Sequence, residues 1–407
     1  MSIQVLQPFG IKSQAVNFQV LPPLSLYIHF PWCVRKCPYC DFNSHEAKPV
    51  LSLSKGGSFP EQEYVAALVR DLEMALPLIW GRKVYTVFFG GGTPSLLSGD
   101  AVTEILRQVR MLLPLDINAE ITLEANPGTV EASKFADFRD AGVNRLSLGI
   151  QSFNDAHLQA LGRIHSSTEA KRAIEIAQQH FDNINLDLMY ALPHQSLEQA
   201  QQDVQSALAF KPQHVSCYHL TLEPNTLFAH QPPPLPDDDT SSDMQQEIET
   251  LLAAHGYEHY ETSAFAQPKK KARHNLNYWQ FGDYLGIGAG AHSKLSFHDK
   301  VIRQARYKQP QAYMDAVMRG EPVQEEHALS KEDMSFEFMM NALRLNAGFD
   351  SELFQERTSL PLLLIRRELE EAARLGLLFQ DHTKIAPTEA GRRFLNDLLQ
   401  LFLREEN

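Results

Sequence analysis

The sequence predicts an α/β protein: a partial (β/α)6 barrel followed by a mainly helical, winged-helix-like C-terminal domain. Three observations carry that prediction. From about residue 25 to residue 230, short β-rich runs alternate with amphipathic helical patterns, the rhythm of parallel strands joined by right-handed crossovers. There are six such units, fewer than the eight of a closed barrel. Beyond about residue 328 the rhythm changes to helices followed by a short β-like end.

The strand runs are Ser25–Phe30, Val84–Phe89, Ala119–Glu124, Asn144–Ile150, Asn183–Tyr190 and His214–Leu220, each rich in β-branched, aromatic or leucine side chains. Helical spacing occupies the intervals at Glu63–Leu76, Ala101–Leu113, Val130–Ala141, Ser167–His180 and Leu197–Ala209. Residues 44–60 and 231–243 read as loops from their Pro, Gly, Ser and Asp content. A helix near Asp243–His255 follows, then a strand near Tyr257–Phe265, the basic stretch Lys269–Arg273 and the Gly-rich segment Leu285–His292. Phe336–Leu345 and Leu362–Leu375 are amphipathic, Gly376–Pro387 reads as a hairpin and Thr388–Leu403 as a last helix. The expected organisation is an N-terminal extension (1–24), a barrel core (25–236), a connecting region (237–325) and a helical domain (326–407).

Composition narrows the function classes. The 407 residues are 43% apolar and 21% charged, enough apolar material for more than one core. With 37 basic against 50 acidic residues, the net charge of −13 opposes a polyanion, so no nucleic-acid partner is expected. No run of about 20 apolar residues is present, and the first 24 residues lack a basic start followed by an apolar block. The expectation is a cytoplasmic protein without a membrane span, with peripheral membrane contact and a homodimer left open.

Only four cysteines occur, and Cys33, Cys37 and Cys40 fall together directly after the first strand, in HFPWCVRKCPYC. That grouping cannot staple a chain of this length and reads as a metal site. Three thiolates can hold three corners of an iron–sulfur cluster and leave one iron open. Zinc is the rival and needs a fourth ligand, for which His29 or His45 is available. Cys217 stands alone in an apolar run and reads as a small buried hydrophobe.

Further candidates gather at the C-terminal ends of the strands, where βα barrels place their sites. Gly90, Gly91, Gly92 and Thr93 (FGGGTP) end the second strand, and their N–H groups are unobstructed by large side chains. Glu124 closes the third strand, Gln151 follows the fourth, Arg163 comes twelve residues later and Asp187 sits inside the apolar fifth. A carboxylate in a core strand needs a partner or a ligand.

The cysteine spacing after the first strand of a βα array resembles the radical S-adenosyl-L-methionine (SAM) superfamily. The resemblance implies a radical-SAM barrel with a 4Fe-4S cluster on Cys33, Cys37 and Cys40, whose open iron is chelated by the amino and carboxylate groups of SAM. YIHFPWCVRKCPYC, FGGGTP, LEANP, LSLGIQSF, LGRIH and DLMYALP together resemble its coproporphyrinogen-oxidase-related branch, over nearly everything after residue 25. By motif match, Tyr27, Tyr39, Gly91, Gly92, Thr93, Glu124, Gln151, Arg163, Asp187 and His292 are implied to contact SAM. An Arg facing the SAM carboxylate and a Glu facing its ribose hydroxyls suit a donor fork and a charged acceptor.

Two departures and one motif separate the subfamilies. The anaerobic coproporphyrinogen III oxidases carry a further Cys where this chain has Phe42, and they have a longer N-terminal region. His274-Asn275-x-x-Tyr278-Trp279 is similar to the signature of HemW heme chaperones, which implies heme as ligand and heme-accepting proteins such as respiratory enzymes as partners. An imidazole can ligate iron, and Tyr278 and Trp279 offer flat apolar surface. The basic residues of Lys269–Arg273 suit heme propionates. The alternative the resemblance leaves is an oxygen-independent coproporphyrinogen III oxidase, using a 5′-deoxyadenosyl radical to start propionate decarboxylation in porphyrin metabolism.

Overall fold

The computed structural model describes residues 16–47, 59–129 and 132–403. Most of the expected 1–24 extension and of the 44–60 loop, and the first two residues of the Val130–Ala141 helix, lie outside the described residues.

The barrel core runs β1 (Leu24–Phe30), α1 (Glu61–Ala75), β2 (Val84–Gly91), α2 (Gly99–Leu112), β3 (Leu115–Ala125), α3 (Ala132–Ala141), β4 (Arg145–Gln151), α4 (Ser167–His180), β5 (Ile184–Tyr190), α5 (Leu197–Ala209) and β6 (His214–His219). The six strands pair in sequence order, every pair parallel. Serine caps fix where the helices begin. Ser98 Oγ accepts the Ala101 amide, and Ser166 with Glu169, and Ser196 with Gln199, form reciprocal capping boxes.

The alternation within each strand sorts two environments. Leu24, Leu26, Ile28 and Phe30 pack in the apolar core that includes the helices, whereas Ser25, Tyr27 and His29 take the opposite face, the lumen. The same face of later strands carries Thr86, Glu120, Thr122, Arg145, Ser147, Asn185, His214 and Ser216, all buried. The lumen is therefore polar and walled by an apolar layer.

The sheet continues past both ends of this core. Beyond β6, after α6 (Asp238–Ala254), the expected single strand near 257–265 is a hairpin of β7 (Glu258–Glu261) and β8 (Ala264–Ala266), with β8 antiparallel to β6. The expected loop 231–243 stops at Asp237, because Asp237 caps α6 by accepting the Thr240 amide and its acidic neighbours occupy the first turn, where the helix dipole favours them. On the other side β9 (Asp283–Ile287), from the Gly-rich segment, lies parallel to β1, and β10 (His292–Ser296), β11 (Val301–Arg306) and β12 (Val323–Ala328) follow antiparallel. Between β8 and β9 stands the short helix α7 (Arg273–Trp279), and α8 (Pro310–Arg319) joins β11 to β12.

Buried ion pairs bind these added strands to the barrel. Asp71 of α1 accepts from Arg306 at 3.1 Å and from the Tyr313 hydroxyl at 2.9 Å, while Asp283 is flanked by Lys294 at 2.9 Å and Arg82 at 2.8 Å. The C-terminal part, α9 (Lys331–Ala342), α10 (Ser351–Thr358), α11 (Arg366–Arg374), a hairpin of Leu378–Gln380 and Lys384–Pro387 and a terminal helical stretch, surrounds a separate core of Met334, Phe338, Phe354, Leu369, Ile385 and Leu398. The terminal helix is broken at Phe394 into Glu389–Arg393 and Leu395–Gln400.

Candidate functional site

β1 delivers the cysteine loop to the C-terminal mouth of the barrel. Trp32–Cys33 pairs with His45–Glu46, and the Cys40 amide donates to Cys37 O, closing a turn between two of the thiols. All three cysteines are half-buried, and burial raises the thiols of Cys33 and Cys40 above the ordinary value. Among the described residues, no three His, Cys, Asp or Glu side chains are gathered as ligands of one ion. His29 and His45, the zinc alternatives, are otherwise engaged: His29 Nε2 bonds Asn43 O at 2.9 Å and His45 Nε2 bonds Lys308 O at 3.3 Å. The donor set, three thiols with a guanidinium beside one of them, fits an anionic cluster.

The glycines of FGGGTP serve close packing. Gly92 N–H donates to Phe30 O at 2.7 Å and Thr93 N–H to Trp32 O at 2.8 Å, so the end of β2 is bonded to the cysteine loop. A Cβ on Gly92 would stand 2.5 Å from Trp32 O, and one on Gly91, whose φ is +113°, would stand 2.5 Å from the His29 ring. The Gly91 amide donates to Glu124 Oε2 at 3.3 Å. The amides that looked free for a ligand are thus committed within the protein, and what the glycines provide is nearness.

Around that junction the remaining candidates converge. Arg163 donates from Nη2 to Gly149 O at 2.8 Å and from Nη1 toward Cys37 Sγ at 3.7 Å, and its buried Nε has no partner. Gly149 is where Gln151 and Arg163 meet: a Cβ there would lie 3.0 Å from Gln151 Nε2 and 3.4 Å from Arg163 Nη2. Gln151 itself has φ +67°, a left-handed conformation that a side-chain-bearing residue adopts at a cost and that collects at functional sites. Asp187, paired in register with Gly149, accepts from Ser147 Oγ at 2.9 Å and Asn185 Nδ2 at 2.7 Å. Behind it a relay continues: His214 Nδ1 donates to Asn185 Oδ1 at 2.6 Å, and its Nε2 accepts the Tyr260 hydroxyl at 2.8 Å.

Glu124 and Asp187 face one lumen without an ion pair. Burial first, then the charge of Asp187, pushes the Glu124 carboxyl up to about 8, and burial also raises Asp187. Two carboxyls held this way in the lumen, with the unused N–H of Arg163 nearer the cysteine loop, suit a ligand that carries cationic groups and a carboxylate, as SAM does. Tyr27 lines the same lumen with its hydroxyl 3.0 Å from His29 Nδ1, and Tyr39 packs against Phe228 beside Arg163. His292 is exposed at the start of β10, on the far side of β9. Sequence reasoning missed Arg145, a buried lumen cation whose Nε has no partner, and Tyr218, two residues beyond Ser216; strict alternation along β4 and β6 was the signal available for both.

The His274 motif lies at the opposite end. Arg273 N and His274 N donate to the Glu120 carboxylate at 3.1 Å each, and Arg273 Nη1 donates to Asn118 O near the start of β3. The His274 ring is buried, stacked 4.9 Å from Phe88, with Nδ1 2.7 Å from Thr86 Oγ1 and Nε2 3.1 Å from the Tyr278 hydroxyl. Burial lowers it to about 3. In this conformation both ring nitrogens of His274 are hydrogen-bonded within the protein. Tyr278 packs edge-on against Tyr284, Trp279 lies under Arg344 at 4.3 Å, and Asn275 is half-buried in α7. The basic stretch is likewise engaged away from the mouth, Lys271 with Glu258 at 2.6 Å and Lys270 with Asp182 O at 3.3 Å.

Comparison with known proteins agrees with this geometry. Residues 27–207 match the radical SAM superfamily, and residues 329–394 match the HemN C-terminal domain. The chain is 49% identical to heme chaperone HemW of Escherichia coli (strain K12) and 46% identical to that of Haemophilus influenzae, covering 95% of this chain and 99% of each relative. It is 35% identical to the bovine mitochondrial radical S-adenosyl methionine domain-containing protein 1, over 92% of this chain and 86% of that one. Among solved structures, E. coli coproporphyrinogen III oxidase (HemN) superposes with a TM-score of 0.78 at 24% identity, covering 94% of this chain and 90% of the other, a likeness of fold. Among the described residues, no helix is long and apolar enough to cross a membrane. With such identity over nearly its full length, the chain belongs to the HemW family of radical SAM proteins.

Proposed function

We propose that the protein is a heme chaperone that binds a 4Fe-4S cluster, SAM and heme, and passes heme to acceptor proteins in the cytoplasm. The observation that carries the cofactor half is the meeting of Arg163, Cys37, Gly149 and Gln151 at one point of the barrel mouth. Cys33, Cys37 and Cys40 hold the cluster, which when bound supplies an open iron for the amino and carboxylate groups of SAM. Arg163 and Gln151 bind the SAM carboxylate, Glu124 and Asp187 its polar and cationic groups, and Tyr27 and Tyr39 close the walls. Gly91, Gly92 and Thr93 bring the end of β2 to the cofactor, and His292 stands at the rim.

Heme is supported by the relatives named heme chaperones. It is also supported by Phe42, 57% exposed, at the position where the oxidases carry an additional cysteine. In the described conformation His274 is a floor residue beneath Tyr27 and Phe88, and its motif serves by shaping the lumen. Anaerobic reconstitution tests the whole assignment. Wild type is expected to take up iron and sulfide, bind SAM and shift the Soret band of added heme, and Cys37→Ser to lose the brown chromophore. Full iron content in Cys37→Ser, or no spectral change with heme, would overturn it.

A further inference from the structure

The segment that follows Gln151 at the end of β4 and the loop after β5 are tied together from behind by one buried carboxylate. Asp203, in α5, is buried, 4% exposed. It accepts from Ser152 Oγ at 2.7 Å, from the Phe153 amide at 2.6 Å and from Gln195 Nε2 at 3.4 Å. Ser152 and Phe153 directly follow Gln151, the residue with φ +67°. Gln195 belongs to the loop after β5, where Ala191 and His194 also have positive φ, and its Oε1 accepts the Leu192 amide at 3.1 Å. Ser152 Oγ in turn accepts the Asn154 amide at 3.0 Å, which leads into the short helix Asp155–Ala160 and, through Leu158 O, to the Arg163 amide.

We infer that Asp203 is a positioning residue for SAM: its carboxylate clamps the loops after β4 and β5 so that Gln151, in its left-handed conformation, and Arg163 are held toward the cofactor. The chemistry of the site explains why a carboxylate is used. Three donors converge on it, and an ionised carboxyl accepts at both oxygens and donates at neither. An isosteric amide keeps one acceptor oxygen for the Phe153 amide and can turn its NH2 toward Ser152 Oγ, whose hydroxyl rotates. A leucine of similar volume satisfies none of the donors, and the left-handed Gln151 then relaxes toward ordinary backbone geometry. The clamp acts only through that geometry, and shifts of about 1 Å in a positioning loop cost roughly a hundredfold where they reach reacting atoms. For a binding equilibrium the expectation is more modest.

The inference rests on the reading that Gln151 and Arg163 bind SAM, and the test separates the two. SAM binding to anaerobically reconstituted full-length protein is measured by equilibrium dialysis, with iron and sulfide content and the EPR signal of the reduced cluster recorded for each variant. Asp203→Leu is expected to weaken SAM binding about tenfold with cluster content and signal unchanged, about the low end of the value of one charge-assisted bond. Asp203→Asn is expected to stay within about threefold, and Ser152→Ala to fall between, which decides the matter if Asp203→Leu does not fold. Gln151→Ala combined with Asp203→Leu is expected to weaken binding by less than the product of the two single effects, because part of the clamp's effect runs through Gln151. Unchanged SAM affinity in Asp203→Leu and Ser152→Ala, with Gln151→Ala weakened, would overturn the clamp and leave the site standing. Unchanged affinity in Gln151→Ala would overturn the site and the clamp with it.

Discussion

Replacing Gly92 by alanine tests how closely the cysteine loop is held by the end of β2. The added Cβ would lie 2.5 Å from Trp32 O, 2.8 Å from Trp32 C and 3.0 Å from Phe30 O, all backbone atoms. The first of these is about half an ångström closer than side chains tolerate, and no rotamer relieves it, so one strand end must move off the other. The movement strains the amide bonds of Gly92 and Thr93 to Phe30 O and Trp32 O. Overpacking costs about 1–3 kcal/mol and each of the two weakened hydrogen bonds about 0.5–1.5 kcal/mol, so the total is about 2–6 kcal/mol. Because Trp32 immediately precedes Cys33, the displacement falls on the cluster. The assay is iron and sulfide per chain after anaerobic reconstitution, with thermal unfolding beside it. Gly81→Ala is the control: Gly81 has φ +71° but nothing within 4 Å of the added Cβ, and costs only the roughly 1–2 kcal/mol of left-handed backbone. Wild-type iron content in Gly92→Ala, with a melting shift no larger than that of Gly81→Ala, would refute the reasoning.

Three further outcomes are expected. With the Glu124 carboxyl near 8 when folded and about 4.3 when unfolded, the folded chain holds the extra proton between those values. Stability should therefore fall as pH rises across that window while SAM affinity rises toward pH 8, and Glu124→Gln should flatten both slopes in denaturation and binding titrations. Arg306→Met leaves Asp71 buried without its cation and should lower unfolding free energy by about 3–5 kcal/mol in a denaturant titration, against little change if the pair is inert. His274→Ala should leave the heme Soret maximum in place while lowering the melting temperature, and loss of the Soret shift would show that the helix releases its imidazole to iron.

Much of the fold is legible because its signals are local. Each of the six parallel strands is a short run with its own helix after it, and the cysteine triad and FGGGTP announce themselves at the strand ends that the rhythm already marks. The capping chemistry of Asp237 is also local but ambiguous in sequence, since Pro and Asp clusters serve turns and helix starts alike. What stayed hidden depends on pairings across the chain. β9 joins β1 although their residues stand far apart in sequence, and its glycines concealed a strand that packs closely against its neighbours: a Cβ on Gly286 would lie 2.1 Å from His292 O. His274 meets Thr86 across 188 residues, and nothing in His-Asn-x-x-Tyr-Trp says whether that imidazole faces solvent or the barrel floor. The basic stretch before it suffers the same ambiguity, because charge in sequence does not report which end of a barrel it occupies.

The central claim is that the chain delivers heme and does not decarboxylate a porphyrinogen. Its most direct test offers the reconstituted, SAM-loaded protein two substrates under the same anaerobic reducing conditions: heme with an apo-hemoprotein acceptor, and coproporphyrinogen III. The acceptor is expected to gain heme, seen as its own Soret spectrum, faster than from free heme alone, and no protoporphyrinogen is expected to form. Robust formation of protoporphyrinogen, with no acceleration of heme transfer, would contradict it.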